Sequence, residues 1–156
     1  MIVVADSSPF VVLIAIGHGD LLAALFQRII VPNEVAAELG SPKRPEAVLA
    51  FIAAPPAWFE VRTPVSPVAI PGLHPGEASA IALACECRAD LLLIDERQGR
   101  KEAQARGLTV MGTIGVLGGC PSGFCHLQPQ QKSAVALIAW ENALRFQGMS
   151  TTWRNE

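Results

Sequence analysis

Two acidic residues directly follow short apolar runs of the sequence. Asp6 comes after Ile2–Ala5, and Asp95 comes after Leu91–Ile94. Short runs of Val, Ile and Leu are typical of strands buried on both faces of a parallel sheet. Because the carboxyl ends of parallel strands meet at one edge, we expect both aspartates to point into the same crevice. For either residue alone, the alternative is an aspartate that caps a turn or a helix.

Three glutamates extend this pair into a candidate cluster. Glu77 lies in the first turn of a predicted helix, where its charge would also complement the helix dipole. Glu34 and Glu38 lie about one turn apart on one face of a short predicted helix, and their spacing does not decide between them. Carboxylate ligands without a nearby His or Cys suit Mg²⁺ or Mn²⁺. The chemistry that fits such a site is phosphodiester hydrolysis by metal-activated water.

The elements that must position these acids alternate along the chain. Each predicted strand is followed by a helix, which indicates an α/β fold with a mainly parallel central sheet and helices on both faces. The length of 156 residues favours a single domain. We expect that domain to span residues 1–147, with an amphipathic C-terminal helix at about 132–146 and a frayed tail at 148–156.

Composition excludes several classes of protein. A hydrophobic share of 51% and a charged share of 17% are those of a folded domain rather than a disordered one. The net charge of −2 excludes a globally basic nucleic-acid binder, although not a local basic patch. No apolar run approaches the ~20 residues of a membrane-spanning helix, and nothing basic that could begin a signal peptide precedes Arg28. We therefore expect a cytoplasmic protein without a membrane anchor.

A local basic patch is predicted on the helix after Asp95. Arg97, Arg100 and Lys101 lie there, and positive charge beside a carboxylate cluster would suit contacts with an RNA backbone. An ordinary solvated helix face is the alternative for these three residues.

Other site motifs are absent or incomplete in the sequence. It has no phosphate-binding loop, no dinucleotide-binding glycine pattern and no nucleophile elbow. A phosphatase that uses an aspartate after a strand would carry a second aspartate where Ser8 stands. The segment from Cys120 to His126 offers three zinc ligands, but no pair elsewhere completes a tetrahedral site.

Five segments, taken together and in this order, resemble the PIN-domain family. The match covers about residues 1–118. Within the family, the sequence most resembles a bacterial and archaeal PIN-like branch of predicted nucleic-acid-binding proteins. The segments are Val-Val-Ala-Asp6-Ser-Ser-Pro, Val31-Pro-Asn-Glu-Val-Ala-Ala-Glu38-Leu, Pro75-Gly-Glu77-Ala-Ser-Ala-Ile-Ala-Leu-Ala, Leu-Leu-Leu-Ile-Asp95-Glu-Arg and Gly107-Leu-Thr-Val-Met-Gly-Thr113-Ile-Gly-Val-Leu.

The resemblance implies a Mg²⁺- or Mn²⁺-dependent endoribonuclease, often the toxin of a VapBC-type toxin–antitoxin pair. It implies RNA as substrate, a small antitoxin protein as partner, and a homodimer. A catalytically silent nucleic-acid-binding or protein-binding module with the same fold is the alternative. Beyond Leu117 the relatives usually continue into a basic helix, whereas here Gly-Gly-Cys-Pro-Ser-Gly-Phe-Cys-His intervenes, so no C-terminal contact is carried over.

The resemblance also assigns roles to particular residues. The catalytic acids would be Asp6, Glu38, Glu77 and Asp95, and the resemblance favours Glu38 over Glu34. The metal ligands would be Asp6, Glu77 and Asp95. Thr113, and Ser7 next to the first acid, would support the site.

Overall fold

The computed structural model describes residues 1–118, and over these residues parallel strands alternate with helices. Residues Met1–Thr113 form one compact unit. The strands are β1 (Val3–Ala5), β2 (Ile29–Pro32), β3 (Phe59–Arg62), β4 (Leu91–Leu93) and β5 (Val110–Met111). The helices are α1 (Ser7–Ala15), α2 (Asp20–Leu25), α3 (Asn33–Leu39), α4 (Glu46–Ala53), α5 (Pro75–Cys87), α6 (Arg97–Ala105) and α7 (Thr113–Gly118).

The five strands form one sheet in the order β3-β2-β1-β4-β5, and every pairing is parallel. The predicted α/β class with a parallel central sheet is therefore confirmed. The central strand β1 is buried along its whole length, as are β2 and β4. None of the helices between Met1 and Gly118 is long and apolar enough to cross a membrane.

The strand order reverses at β1. From this strand the chain first builds β2 and β3 on one side, and it later returns to place β4 and β5 on the other. A crevice opens beyond the carboxyl ends of the strands at such a switch point, and ligands bind there in open α/β sheets. The backbone N–H of Asp6 donates to the carbonyl of Leu93 at 2.9 Å. Asp6 therefore leaves β1 beside Leu93, the last residue of β4. Asp95 follows Leu93 by two residues.

Helix α5 connects the sheet core to this edge. It packs against β1, β2 and β4, and its residues from Ala78 to Ala84 are all buried. A helix that is apolar and small-sided all round suits such a central position. Burial of the helix body fixes the place of its first turn, which carries Gly76 and Glu77.

An aromatic cluster holds α1 and α4 against β3. Phe10 of α1 is fully buried, and its ring centroid lies 5.2 Å from that of Phe59 and 5.8 Å from that of Phe51. Trp58 stacks on Phe10 with centroids 6.4 Å apart. The cluster thereby anchors the helix that begins immediately after Asp6.

The last strand is shorter than its sequence predicts. The run 108–111 predicts a four-residue strand, but only Val110–Met111 pair with β4. The chain is still leaving α6 at this point: Gly107 has a positive φ of 78°, and the backbone N–H of Leu108 donates to the carbonyl of Ala103. The predicted C-terminal helix at 132–146 and the tail at 148–156 lie outside the described residues.

Candidate active site

Asp6 is the most deeply buried acid of the described residues. Asp6 is 1% exposed. Its carboxylate caps α1 by accepting hydrogen bonds from the backbone N–H and the hydroxyl of Ser8. The second oxygen, Oδ1, is buried and has no hydrogen-bond partner among the described residues. Burial raises the pKa of Asp6, hydrogen bonds from Ser7 and Ser8 oppose that rise, and the charge of Glu38 adds to it.

The structure brings Glu38 of α3 to the start of α1. Ser7 is only 5% exposed. Its hydroxyl donates to Glu38 Oε2 at 2.9 Å. This contact joins Ser7 and Glu38 and places Glu38 within electrostatic reach of Asp6. Glu34, the alternative left open by helix spacing, lies instead in a separate cavity between α3 and α5.

Gly76 makes room for the Glu38 carboxylate. A Cβ at Gly76 would lie 2.5 Å from Glu38 Oε1 and 3.0 Å from its Cδ, which is closer than side-chain atoms tolerate. Only a residue without a side chain lets the first turn of α5 pass Glu38 at this distance.

Glu77 is held at the start of α5 and is coupled to the other acids. Its Oε2 accepts from the backbone N–H of His74 at 2.9 Å, the reciprocal contact of a capping box. Burial raises the pKa of Glu77, the hydrogen bond from His74 opposes that rise, and the charges of Asp6 and Glu96 raise it further. Glu77 therefore belongs to the same group of mutually repelling carboxylates as Asp6.

Asp95 is oriented by Thr113, beyond β5. The Thr113 backbone N–H donates to Asp95 Oδ1 at 2.7 Å, and the Thr113 hydroxyl donates to Oδ2 at 2.5 Å. Thr113 is buried, so this pair ties the exit of β4 to the exit of β5. A Cβ at Gly112 would meet Asp95 Oδ1 at 2.9 Å and Arg100 Nη1 at 3.0 Å, which places Arg100 beside Asp95.

Of the predicted RNA-contacting residues, Arg100 is half-buried beside Asp95, whereas Arg97 and Lys101 are exposed on α6. The structure thus distinguishes one basic residue at the acidic site from two on the outer surface of the same helix.

Three residues near the acids were not predicted from the sequence. Glu96 caps α6 by accepting from the backbone N–H of Gly99 at 2.5 Å, and its charge acts on Glu77. Arg44 Nη2 and His74 Nδ1 lie 3.9 Å and 3.6 Å from the Glu38 carboxylate. The position of Glu96, directly after Asp95 and before a helix, is a usable signal. The loop positions of Arg44 and His74 have no spacing that relates them to Glu38.

Comparison with known proteins identifies the family of the chain. A family model described as a PIN domain matches residues 2–120. The chain belongs to the PIN-domain family. No curated protein matches it significantly.

The PIN fold is also seen in a solved structure. A PilT N-terminus domain protein, SSO1118, from the hyperthermophilic archaeon Sulfolobus solfataricus P2 is similar with a TM-score of 0.53 and 18% identity. The match covers 82% of this chain and 100% of that one. At this identity the likeness is one of fold.

The acids of the PIN domain are of the ligand type that a hard divalent cation takes, although within residues 1–118 they do not form an assembled metal site. Carboxylate oxygens are the ligands that Mg²⁺ and Mn²⁺ prefer, and the buried Oδ1 of Asp6 has no other partner among residues 1–118. Within that range, no three Asp, Glu, His or Cys side chains come close enough together to hold one ion as they stand. Glu38 and Asp95 are instead held by the Ser7 and Thr113 hydroxyls.

We expect Asp6→Asn to stabilise the PIN domain at neutral pH. The pKa of Asp6 is raised in the folded state, so its protonated form stabilises the fold below the unfolded-state pKa, and this stability is lost as pH rises through the folded-state pKa. Asparagine keeps the helix cap and has no charge to bury. Urea denaturation in EDTA at pH 7 should show a gain of about 1 kcal/mol.

The gain should shrink towards about pH 3, where the wild-type carboxyl group is protonated as well. Asp20→Asn changes an exposed aspartate in the first turn of α2, so at pH 7 it should lower the free energy of unfolding by about 0.5 kcal/mol through the helix dipole, opposite in sign to the gain expected for Asp6→Asn. A loss of stability in Asp6→Asn at pH 7 would contradict the burial argument.

Proposed function

We propose that this PIN-domain protein is a divalent-metal-dependent endoribonuclease. PIN domains are generally nucleases. The observation that carries the proposal is the buried, unpartnered Oδ1 of Asp6. Burial raises the pKa of Asp6 and of Glu77, and the charges of neighbouring carboxylates raise both further. Such an arrangement is unfavourable unless a cation compensates it.

Asp6, Glu77 and Asp95 are the residues that would hold Mg²⁺ or Mn²⁺. When bound, the cation supplies an activated water and stabilises the leaving oxygen of a phosphodiester. Glu38, held through its Oε2 by the Ser7 hydroxyl, would position the attacking water. Thr113 holds the Asp95 carboxylate through both of its oxygens.

Basic side chains near the acids support a nucleic acid as the substrate, and the family resemblance specifies RNA. Arg100 lies beside Asp95, and exposed Arg97 and Lys101 lie on the same helix. On the side of Glu38, Arg44 and His74 lie near its carboxylate. Basic side chains of this kind contact phosphates and orient a nucleic acid without reading its sequence.

We further propose that the protein acts as the toxin of a toxin–antitoxin pair and forms a homodimer. The support is the resemblance of its five segments to the PIN-domain family, whose members are often the toxin of such a pair and commonly form homodimers. Its partner would then be a small antitoxin encoded in a short reading frame beside this gene.

The proposal predicts RNA cleavage that needs both metal and Asp95. Purified full-length protein should cut a mixed RNA panel with Mn²⁺ and should stop cutting in EDTA. Asp95→Asn should slow cleavage by about 100-fold or more, because even partners of metal ligands contribute about 10–100-fold. Asp20→Asn, at an exposed aspartate, is the matched control and should cut like wild type.

Equal cleavage by wild type and Asp95→Asn would contradict the proposal. RNA binding in EDTA without turnover under any metal condition would favour the alternative, a catalytically silent binding module.

We also expect Gly76→Ala to slow cleavage while leaving the protein folded. The new Cβ must displace the Glu38 carboxylate, and a misplacement of about 1 Å can slow a reaction about 100-fold. Alanine favours helical backbone over glycine, so the melting temperature should not fall. Gly40→Ala is the control, since its Cβ meets nothing closer than 3.6 Å. Unchanged cleavage in Gly76→Ala would show that the position of Glu38 is unimportant.

A further inference from the structure

Strand β3 lies at one edge of the sheet, and no strand of the described chain pairs with its outer side. The Ile29 N–H donates to the Trp58 carbonyl at 2.8 Å, and the parallel register sets Ile29 beside Phe59. In such a ladder the backbone groups of Glu60 point towards β2, whereas those of Val61 point away from it. The N–H and the carbonyl of Val61 therefore lie along an open edge.

This edge lacks the usual protection against pairing with another chain. Proteins blunt exposed edges with lysine, proline or a bulge, but β3 contains neither residue, and its pairing with β2 runs without interruption from Phe59 to Arg62. The side chain of Val61 is 48% exposed. The opposite edge strand, β5, has only two residues, so β3 is the better template for pairing.

The side chains of β3 divide between the two faces of the sheet. Phe59 packs in the aromatic cluster with α1 and α4, and Val61, two residues later, shares that face. Arg62 Nη1 lies 3.3 Å from Cys87 Sγ of α5. Arg62, and with it Glu60, therefore lies on the α5 face.

Glu60 and Arg62 give the α5 face of this edge an ordered pair of charges. Arg62 Nη2 donates to Glu60 Oε1 at 2.7 Å, and Arg28 pairs with Glu60 from the side of β2. The hydrogen bond from Arg62, with a smaller contribution from Arg28, lowers the pKa of Glu60. Glu60 is therefore ionised at neutral pH, two residues before a positive charge.

This order of charges is complementary to itself in one antiparallel register. When Val61 lies opposite Val61 of a second copy, each Glu60 lies opposite an Arg62. A pairing centred on Glu60 or on Arg62 would instead set like charges directly opposite each other, which is destabilising. The register centred on Val61 also suits the backbone, because the two outward-facing valines can exchange both of their N–H···O=C bonds.

We propose that β3 pairs antiparallel with β3 of a second copy of this chain, with Val61 on the two-fold axis. This inference rests on the homodimer proposed above and names the surface that forms it. A two-fold axis requires a patch that is complementary to itself, and the alternation of Glu60 and Arg62 around Val61 supplies one. The acids Asp6 and Asp95 follow β1 and β4, which are not part of the proposed contact.

The first test measures the molecular mass of the full-length protein by sedimentation equilibrium, in EDTA and without RNA. Wild type should be a dimer. Val61→Pro removes two hydrogen bonds between the copies, each worth a factor of about 2 to 12 in an equilibrium constant, so the Kd of the dimer should rise about tenfold or more. Proline at an outward-facing position of an edge strand removes no hydrogen bond within the protomer, so the far-ultraviolet circular dichroism should stay that of wild type.

The second test uses the charges. Arg62→Glu alone sets acidic residues opposite each other, and Glu60→Arg alone sets basic residues opposite each other. Each variant should raise the Kd of the dimer about tenfold, because two cross-strand pairs change from attraction to repulsion. An equal mixture of the two variants restores opposite charges at every position and should form a heterodimer with the affinity of wild type.

Recovery of the dimer on mixing would support the β3 contact, because an unfolded variant would not recover. A dimer that persists in Val61→Pro and in both charge variants would overturn the β3 contact alone and assign the homodimer to another surface. Single variants that stay monomeric when mixed would overturn the proposed register. A monomeric wild type would overturn both the contact and the homodimer. RNA cleavage enters neither measurement, so the ribonuclease proposal stands or fails separately.

Discussion

The carboxylate of Asp6 has one buried oxygen that meets no hydrogen-bond donor among the described residues, and the charges of two other carboxylates act on it. Glu38 and Glu77 each interact unfavourably with its charge, and Glu96 interacts in the same way with Glu77. Bringing these groups together opposes folding, because burial and like charge both disfavour the ionised forms. A sequence that needed only a stable fold would be better served by neutral side chains here. We infer that the cluster is kept for the cation that would compensate it.

The rest of the structure holds this unfavourable group in place. Each acid accepts a hydrogen bond from a donor near the end of a helix or strand: Ser8 for Asp6, Ser7 for Glu38, the His74 backbone for Glu77 and Thr113 for Asp95. These donors lie on elements that are themselves fixed by the buried sheet and by α5. Glycine at position 76 then permits the close approach of Glu38. Burial of apolar side chains in the sheet and in α5 thus offsets the loss of stability that the mutually repelling carboxylates cause.

Short strands and the residues that follow them can be predicted from the sequence. Which strands pair in the sheet, and which of two glutamates on one helix face enters the site, cannot. The runs that became β1 and β4 are short and uniformly apolar, so both strands were predictable: β1 ends at Ala5 as predicted, and β4 ends at Leu93, one residue before the predicted end at Ile94. That β1 and β4 are neighbours depends on pairing across almost ninety residues, as in Val3 with Leu91, and is supported in advance only by the family resemblance. Helix spacing cannot separate Glu34 from Glu38, because packing of α3 on α1 and α5 decides which carboxylate meets Ser7.

Calorimetric titration of the full-length protein with Mn²⁺ at neutral pH is the experiment to do on the acidic cluster, with wild type and Asp6→Asn side by side. If a cation compensates these carboxylates, wild type binds Mn²⁺ saturably, and Asp6→Asn binds it at least about tenfold more weakly. Equal affinities in the two proteins, or no binding by wild type, would contradict the role assigned to the cluster.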